Sequence, residues 1–189
     1  MAANCAGIEV VLPAAPRDVK GLIRTALLND NPTLFLTHDE LLAIEGEVPD
    51  ADYAIPFGKA DVKRRGKDVT VVATSLTLHN ALEAARVLAR EGIDVEVVDP
   101  RTAVPLDVAG ICRSVRKTGH LVTVDEAIQT CSIGSEIAAA VVERAFAALK
   151  APILRVARGP APIPFSPSLE KVISPTAKRI AAVVRKVLS

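Results

Sequence analysis

The stretch VTVVATSLTLHNALEAARVLAREGIDVEVVD, residues 69–99, decides the fold class of this chain. It opens with the apolar run VTVVAT and closes with DVEVVD, and such runs are typical of strands that are covered on both faces. Between them apolar residues recur at helical spacing from Leu78 to Leu88, and Gly92 ends the pattern. The stretch therefore predicts a β-α-β unit of a parallel sheet.

The same alternation continues towards the C-terminus. The apolar pattern predicts helices over about 107–117, 134–149 and 175–188, and strands over 121–124 and 153–156. Alternating strands and helices with short connections predict a three-layer α/β/α fold with a mostly parallel sheet.

A second, smaller unit precedes this fold. Residues 8–12 and 33–37 are apolar runs, and a helical pattern that starts at Asp18 lies between them, which predicts another β-α-β unit. This unit is too small to form a domain by itself. Residues 39–68 are charged, rich in Pro and Gly and without helical period, so they are interpreted as a linker, with 60–64 a charged edge strand.

Composition excludes several classes of partner. The net charge is +1, aromatic residues make up 3% and Trp is absent, which gives no basis for binding nucleic acid or an anionic membrane. No apolar run approaches the roughly 18 residues of a membrane span, and the first residues lack the features of a signal peptide. Three scattered cysteines fit no metal spacing and favour a reducing, cytoplasmic location.

Polar residues follow three of the predicted strands, where parallel sheets place their sites. Ser75 follows the first, Arg101 the second, and Asp125 with Glu126 the third. Arg101 with Asp99 either binds a carboxylate or phosphate or forms a salt bridge to a neighbouring segment. The two acids either form a general acid/base pair or make a hydrogen-bonding contact, since neighbours on an extended chain point in opposite directions.

Three further features each allow a functional and a structural interpretation. His79 is either a base or, as we favour, a half-buried hydrogen-bonded histidine. The segment before the long helix is either an anion site or an ordinary N-cap at Ser132 or Ser135, and the absence of a glycine-rich phosphate motif favours the cap. The proline-rich segment 158–170 is expected to pack along the domain surface or into a subunit contact.

Eight segments taken in order form a specific set that spans nearly the whole chain. They are PAAPRDVKGLIRTAL (13–27), DNPTLFLTH (30–38), GEVPDADYAIPFGKADVKRRGKDVTVV (46–72), HNALEAARVLAREGIDVEVVDPRT (79–102), VPLD (104–107), KTGHLVTVDE (117–126), IGSEIAA (133–139) and APILRV with PIPFSPSLE (151–170). This set resembles the C-terminal part of the β subunit of thiamine-diphosphate-dependent E1 components of 2-oxo-acid dehydrogenase complexes. Acetoin dehydrogenase β subunits and the transketolase C-terminal section are close relatives of that family.

The resemblance implies a division of the chain and a role for it. Residues 1–58 would be the last portion of an incomplete pyrimidine-binding domain plus a linker, and 59–189 a transketolase-like C-terminal domain. The whole enzyme would decarboxylate a 2-oxo acid and reductively acylate a lipoyl group, and this section would serve subunit assembly without being catalytic alone. In the family the activating glutamate lies upstream of these motifs and the α subunit holds the diphosphate and magnesium. No catalytic or cofactor-binding residue is therefore carried onto this chain.

Partners and one metal site also follow from the resemblance. The implied partners are the E1 α subunit, a second β subunit and the subunit-binding domain of the E2 acyltransferase. A partial potassium site maps onto Ala26, Leu27, Asn29 and Asn31, with Asn29 standing where the family usually has an aspartate.

Two rival hypotheses remain open. One is a stand-alone binding or assembly module, and the other is a small-molecule enzyme that uses the strand ends at Ser75, Arg101 and Asp125. A half-domain that normally contacts other protein predicts exposed apolar surface on residues 1–58.

Overall fold

Two sheets organise the chain, whose computed structural model describes residues 2–189. Five strands pair in the order β3-β5-β4-β7-β8, and three pair in the order β2-β1-β6. The strands within the described range are β1 (Glu9–Val11), β2 (Thr33–Phe35), β3 (Asp61–Arg64), β4 (Val69–Ala73), β5 (Val95–Asp99), β6 (Thr102–Val104), β7 (Leu121–Ile128) and β8 (Leu154–Arg158). The five-stranded sheet is parallel except at its edge, where β3 runs antiparallel to β5.

Helices cover both faces of the larger sheet. Over the same range they are α1 (Pro16–Leu28), α2 (Leu76–Ala89), α3 (Val108–Thr118), α4 (Ile133–Ala145), α5 (Pro167–Ile173) and α6 (Ala177–Leu188). The ends of α3 follow from its sequence. The Asp107 carboxylate accepts a hydrogen bond of 2.8 Å from the Gly110 amide, and Gly119 closes the helix in the left-handed conformation.

The core is divided between the two faces of the sheet. On one face Leu78 and Leu88 of α2 pack with Ile180 and Val184 of α6 against the strands. On the other face Ile111 and Val115 of α3 and Ile137 and Val141 of α4 form a second cluster. Every residue of β4 and β5 is buried, which explains why apolar residues do not alternate with exposed polar ones. The polar residues of these strands, Thr70, Glu96 and Asp99, are buried as well. The predicted three-layer α/β/α fold is confirmed.

The smaller sheet is completed by a strand from the larger unit. β1 pairs parallel with β2 and antiparallel with β6, which follows β5 after only two residues. Val11, Leu22 and Ile55 form a third core cluster under this sheet, and Phe35 and Tyr53 pack against its edge. β6 therefore joins the N-terminal unit to the rest of the chain.

The strand and helix order is confirmed, and 60–64 is an edge strand as predicted. Three elements differ from the prediction. β6 was not predicted because a three-residue strand leaves no periodic pattern. β7 extends to Ile128, and the short helix α5 begins within the proline-rich segment and ends after it. Among the described residues, the helices are all too short or too polar to cross a membrane.

Gly66 provides a test of the packing at the sheet edge. A Cβ at this position would lie 2.3 Å from the Val95 carbonyl carbon and 2.4 Å from the Glu96 nitrogen, and neither backbone atom can move without distorting β5. We expect Gly66→Ala to lower the free energy of unfolding by about 2 kcal/mol in urea denaturation. Gly159→Ala is the matched control, because a Cβ there meets nothing within 4 Å. Equal effects of the two substitutions would contradict the close approach.

Candidate functional site

The segment after β5 forms a joint between the two sheets. Arg101 has a φ of 60°, a left-handed conformation that is uncommon for a residue with a side chain. Its carbonyl accepts a hydrogen bond of 2.8 Å from the amide of Leu12, directly after β1. The turn at Arg101 thus directs the chain from the larger sheet into β6 of the smaller one.

The Arg101 side chain lies in a group of five charged residues, which we call the joint cluster: Asp18, Asp61, Lys63, Asp99 and Arg101. Its guanidinium lies 2.7 Å from a carboxylate oxygen of Asp18 and 2.8 Å from one of Asp61. Lys63 forms ion pairs with Asp18 and, at 2.8 Å, with Asp61. These contacts connect α1, β3 and the end of β5. Arg101 therefore forms the salt bridge to neighbouring segments that was one of its two predicted roles.

Burial and charge act in opposite directions within the joint cluster. Asp99 is fully buried, and this burial raises its pKa to about 7, although the Arg101 amide and Lys63 act against the shift. Burial also opposes the charged forms of Asp61 and Lys63. For Asp61 the hydrogen bond from Lys63 and the attraction of Lys63, Arg101 and Arg17 together outweigh burial, so its pKa is lowered. For Lys63 the hydrogen bonds to Asp18 and Asp61 and the attraction of nearby carboxylates together outweigh burial, so its pKa is raised.

Further hydrogen bonds reinforce the joint. The Thr102 hydroxyl accepts from the Gly58 amide at 3.1 Å and donates to the Pro105 carbonyl at 2.6 Å. The Asp107 carboxylate, besides capping α3, accepts from the Ala60 amide at 3.1 Å. Residues just before β3 are thus held to the segment that follows β6.

The other polar residues predicted at strand ends are not part of the joint cluster. Ser75 is buried with a φ of 50°, and its side chain makes no cap hydrogen bond to α2. One Asp125 oxygen accepts from the Ala127 amide at 3.0 Å, while the other is buried without a hydrogen-bond partner. Glu126 contacts His38 at 3.2 Å, and its pKa is raised by burial and by the neighbouring Asp125 despite that contact. These residues do not converge with Arg101, which is held in the joint cluster.

The structural interpretations of His79 and Ser132 are confirmed. A ring nitrogen of His79 lies 2.7 Å from the Ala14 carbonyl, which ties α2 to the N-terminal unit. The Ser132 hydroxyl accepts from the Ser135 amide at 3.3 Å and caps α4. Asp18, Asp61 and Lys63 were not predicted as a site, because their shared surroundings arise only when α1 meets the edge strand.

The predicted potassium positions lie together at the C-terminal end of α1. Leu27 is in its last turn, where carbonyl oxygens have no helical amide partner, and Asn29 follows the helix directly. The Asn29 side-chain oxygen accepts from the Asn31 amide at 3.4 Å, and its side-chain nitrogen donates to the Glu9 carboxylate. Residues 2–189 contain no group of three or more His, Cys, Asp or Glu side chains suited to a metal.

The joint cluster predicts a specific dependence of stability on pH. Because the pKa of Asp99 is raised in the folded protein, its contribution is complete at low pH and is lost as the pH rises towards 7. We expect the stability of Asp99→Asn relative to the unsubstituted chain to rise by about 3 kcal/mol between pH 5 and pH 7.5 in urea unfolding, because the loss of the Asp99 contribution runs from its ordinary pKa of 3.8 up to about 7. Asp30→Asn removes an exposed carboxylate as a control. Parallel pH profiles for the chain and Asp99→Asn would contradict the assignment.

The sequence of this chain is similar to those of several known proteins. The family model "Transketolase, C-terminal domain" matches residues 58–180. The β subunit of the acetoin:2,6-dichlorophenolindophenol oxidoreductase of Cupriavidus necator is 49% identical over 182 residues, which are 96% of this chain and 54% of the relative. The pyruvate dehydrogenase E1 component β subunit of Bacillus subtilis is 42% identical over 96% of this chain and 56% of the relative. The 2-oxoisovalerate dehydrogenase β subunit of the same organism is 41% identical, with 97% and 57% covered.

A solved structure agrees with these relatives. A split gene transketolase, described as an inactive β4 tetramer, superposes with a TM-score of 0.82 at 27% identity, covering 99% of this chain and 59% of its own. The chain spans about half the length of the curated relatives it matches. It belongs to the transketolase C-terminal domain family and corresponds to the C-terminal portion of E1 β subunits of acetoin and 2-oxo-acid dehydrogenases.

Proposed function

We propose that this chain acts as the C-terminal section of the β subunit of a thiamine-diphosphate-dependent E1 enzyme, with a role in subunit assembly. The 49% identity to an acetoin oxidoreductase β subunit over 96% of the chain carries the proposal. In the whole enzyme the reaction is oxidative decarboxylation of a 2-oxo acid with reductive acylation of a lipoyl group, or the corresponding oxidation of acetoin. The section supplies surfaces to this enzyme, and residues outside it supply the catalysis.

The contacts made by the residues at the strand ends support a structural role for this section of the enzyme. In an open parallel sheet these positions usually face a ligand. Here Arg101 is held by Asp18 and Asp61, and one Asp125 oxygen binds the backbone of its own strand. An independent enzyme that uses Ser75, Arg101 and Asp125 would need these side chains to face one substrate, whereas Arg101 and one Asp125 oxygen are already engaged by groups of this chain.

Exposed apolar surface on the N-terminal unit supports contacts with other protein. Leu27 is 78% exposed and Leu42 is 81% exposed, values typical of side chains that a partner covers. β2 is an edge strand of the smaller sheet. The large apolar residues exposed on this unit are Ile23, Leu27, Leu28, Leu34, Leu36, Leu42 and Val48. We assign this surface to contacts with the E1 α subunit and with the pyrimidine-binding portion of a β subunit.

A second apolar surface lies in the proline-rich segment. Phe165 is fully exposed, and Ile163, Leu169 and Val172 beside it are each more than half exposed. Of the two predicted roles for this segment, its exposure favours a subunit contact over packing along the domain. We assign it to the second β subunit or to the subunit-binding domain of the E2 acyltransferase.

The division of the chain forms part of the same proposal. Residues 1–58 belong to a pyrimidine-binding domain with its linker, and 59–189 form the C-terminal domain. The family match that begins at residue 58 supports this boundary. Thiamine diphosphate and magnesium bind outside this section. The sparse cysteines support a cytoplasmic location, while the rice and Dictyostelium discoideum relatives are named as mitochondrial proteins.

A second candidate function is an assembly module made of copies of this chain alone. The split gene transketolase described as a β4 tetramer favours it, because that tetramer is named by β chains only. Mass measurement by light scattering separates the two candidates. A stable homotetramer that leaves α subunit unbound would favour the module.

A chimera tests the proposed function directly. This chain replaces its aligned 182 residues in the Cupriavidus necator β subunit, which is then co-expressed with the matching α subunit. We expect the chimera to co-purify with the α subunit and to restore acetoin-dependent reduction of dichlorophenolindophenol, because the joint and both apolar surfaces are supplied by this chain. The isolated chain should show neither this activity nor calorimetric binding of thiamine diphosphate with Mg²⁺. A folded chimera that does not bind the α subunit, or tight cofactor binding by the isolated chain, would contradict the proposal.

We also propose that potassium binds at the end of α1 through oxygen atoms of Ala26, Leu27, Asn29 and Asn31. The Glu9 carboxylate beside Asn29 supplies the negative charge that the family's aspartate would provide. At equal ionic strength and K⁺ near ten times its dissociation constant, KCl should stabilise the chain over NaCl by about 1.4 kcal/mol, or about 4 °C in melting temperature. Glu9→Gln should remove the difference, and Glu47→Gln, on the exposed linker, should not. Equal melting temperatures in the two salts would contradict the site.

A further inference from the structure

A cleft beside the edge strand β3 adjoins the joint cluster at Asp61 and includes no residue of the two apolar surfaces. Its volume is about 500 Å³, within the usual range for small-molecule sites. One wall is the face of α3 that carries Gly110, Arg113 and Lys117 at helical spacing. The opposite wall is formed by β3 and β5, where Val62 and Val98 provide an apolar surface.

The floor of the cleft is a buried carboxylate. Glu96 on β5 is only 2% exposed, accepts a hydrogen bond from the Ser114 hydroxyl and forms an ion pair with Lys117. Ser114 is held in turn by Thr70 at 2.7 Å. These contacts fix the Lys117 ammonium at the cleft, while its side chain stays 47% exposed and keeps donors free for a ligand.

Two guanidinium groups at the same cleft have no acidic partner. The side chains of Arg65 and Arg113 line it and form no ion pair with any residue of the described range. Both carboxylates that line the cleft are already paired, Glu96 with Lys117 and Asp61 with Lys63 and Arg101. The cleft therefore has an excess of positive charge and unused planar donors, which suit a doubly charged anion.

We propose that this cleft binds the phosphate group of a small phosphorylated molecule. Arg65 and Arg113 donate to its oxygen atoms, and Lys117, held by Glu96, adds a further N–H donor. The cleft is larger than a phosphate group, so the organic part of the ligand lies along Val62 and Val98. The described residues that line the cleft include no aromatic side chain on which a nucleobase could stack. The ligand is therefore a phosphate monoester without a base.

The test is an NMR titration of the chain with glycerol 2-phosphate at constant ionic strength, with glycerol as the uncharged control. We expect shifts confined to the amides of 60–66, 95–98 and 110–117. Arg65→Gln and Arg113→Gln should each weaken binding about tenfold through loss of a charge-assisted hydrogen bond. Arg90→Gln, which removes an equally exposed charge at the end of α2, should leave the dissociation constant unchanged. Circular dichroism confirms that each variant is folded.

Three results would overturn the proposal. The first is an equal dissociation constant for Arg65→Gln, Arg113→Gln and Arg90→Gln, which would show that only overall charge attracts the ligand. The second is a set of shifts outside the cleft. The third is equal binding of succinate, a dianion without tetrahedral oxygens, which would remove the assignment to phosphate.

Discussion

The ion pairs between Arg101, Asp18 and Asp61 are the constraint on which the arrangement of the two sheets depends. They join α1, the edge strand β3 and the end of β5 at a single guanidinium. The chain then enters β6, whose pairing with β1 completes the smaller sheet. A buried cation with two buried or half-buried carboxylates is stable only when all partners are in place, because an unpaired charge in the interior is costly.

This constraint explains why a strand end that usually faces a ligand has a structural role. The left-handed turn at Arg101 directs its carbonyl to Leu12 and its side chain into the joint cluster. Asp99, which lies just before the turn, becomes protonated at a higher pH than an exposed aspartate because it is fully buried. The joint cluster therefore carries three carboxyl groups with only two cations without placing a full negative charge on each.

The surface of the chain has two chemically different kinds of region, one apolar and one cationic. Apolar residues are exposed on α1, the edge of the smaller sheet and the proline-rich segment, and such surfaces suit protein partners. The cleft between β3 and α3 is instead lined by cations around a buried glutamate. The exposed apolar residues suit the subunit contacts proposed above, and the cleft suits the proposed phosphate ligand.

The sequence by itself determined the layers of the fold. Continuous apolar runs such as 69–74 mark strands covered on both faces, and helical spacing between them marks the helices, since both depend on local periodicity. The caps at Asp107 and Ser132 were also readable, because a cap needs only residues three positions apart. The presence of β6, the joint cluster and the cleft between β3 and α3 was decided only by the tertiary structure. The members of the joint cluster are up to 83 residues apart, and nothing in local sequence records which charges will meet when distant segments pack together.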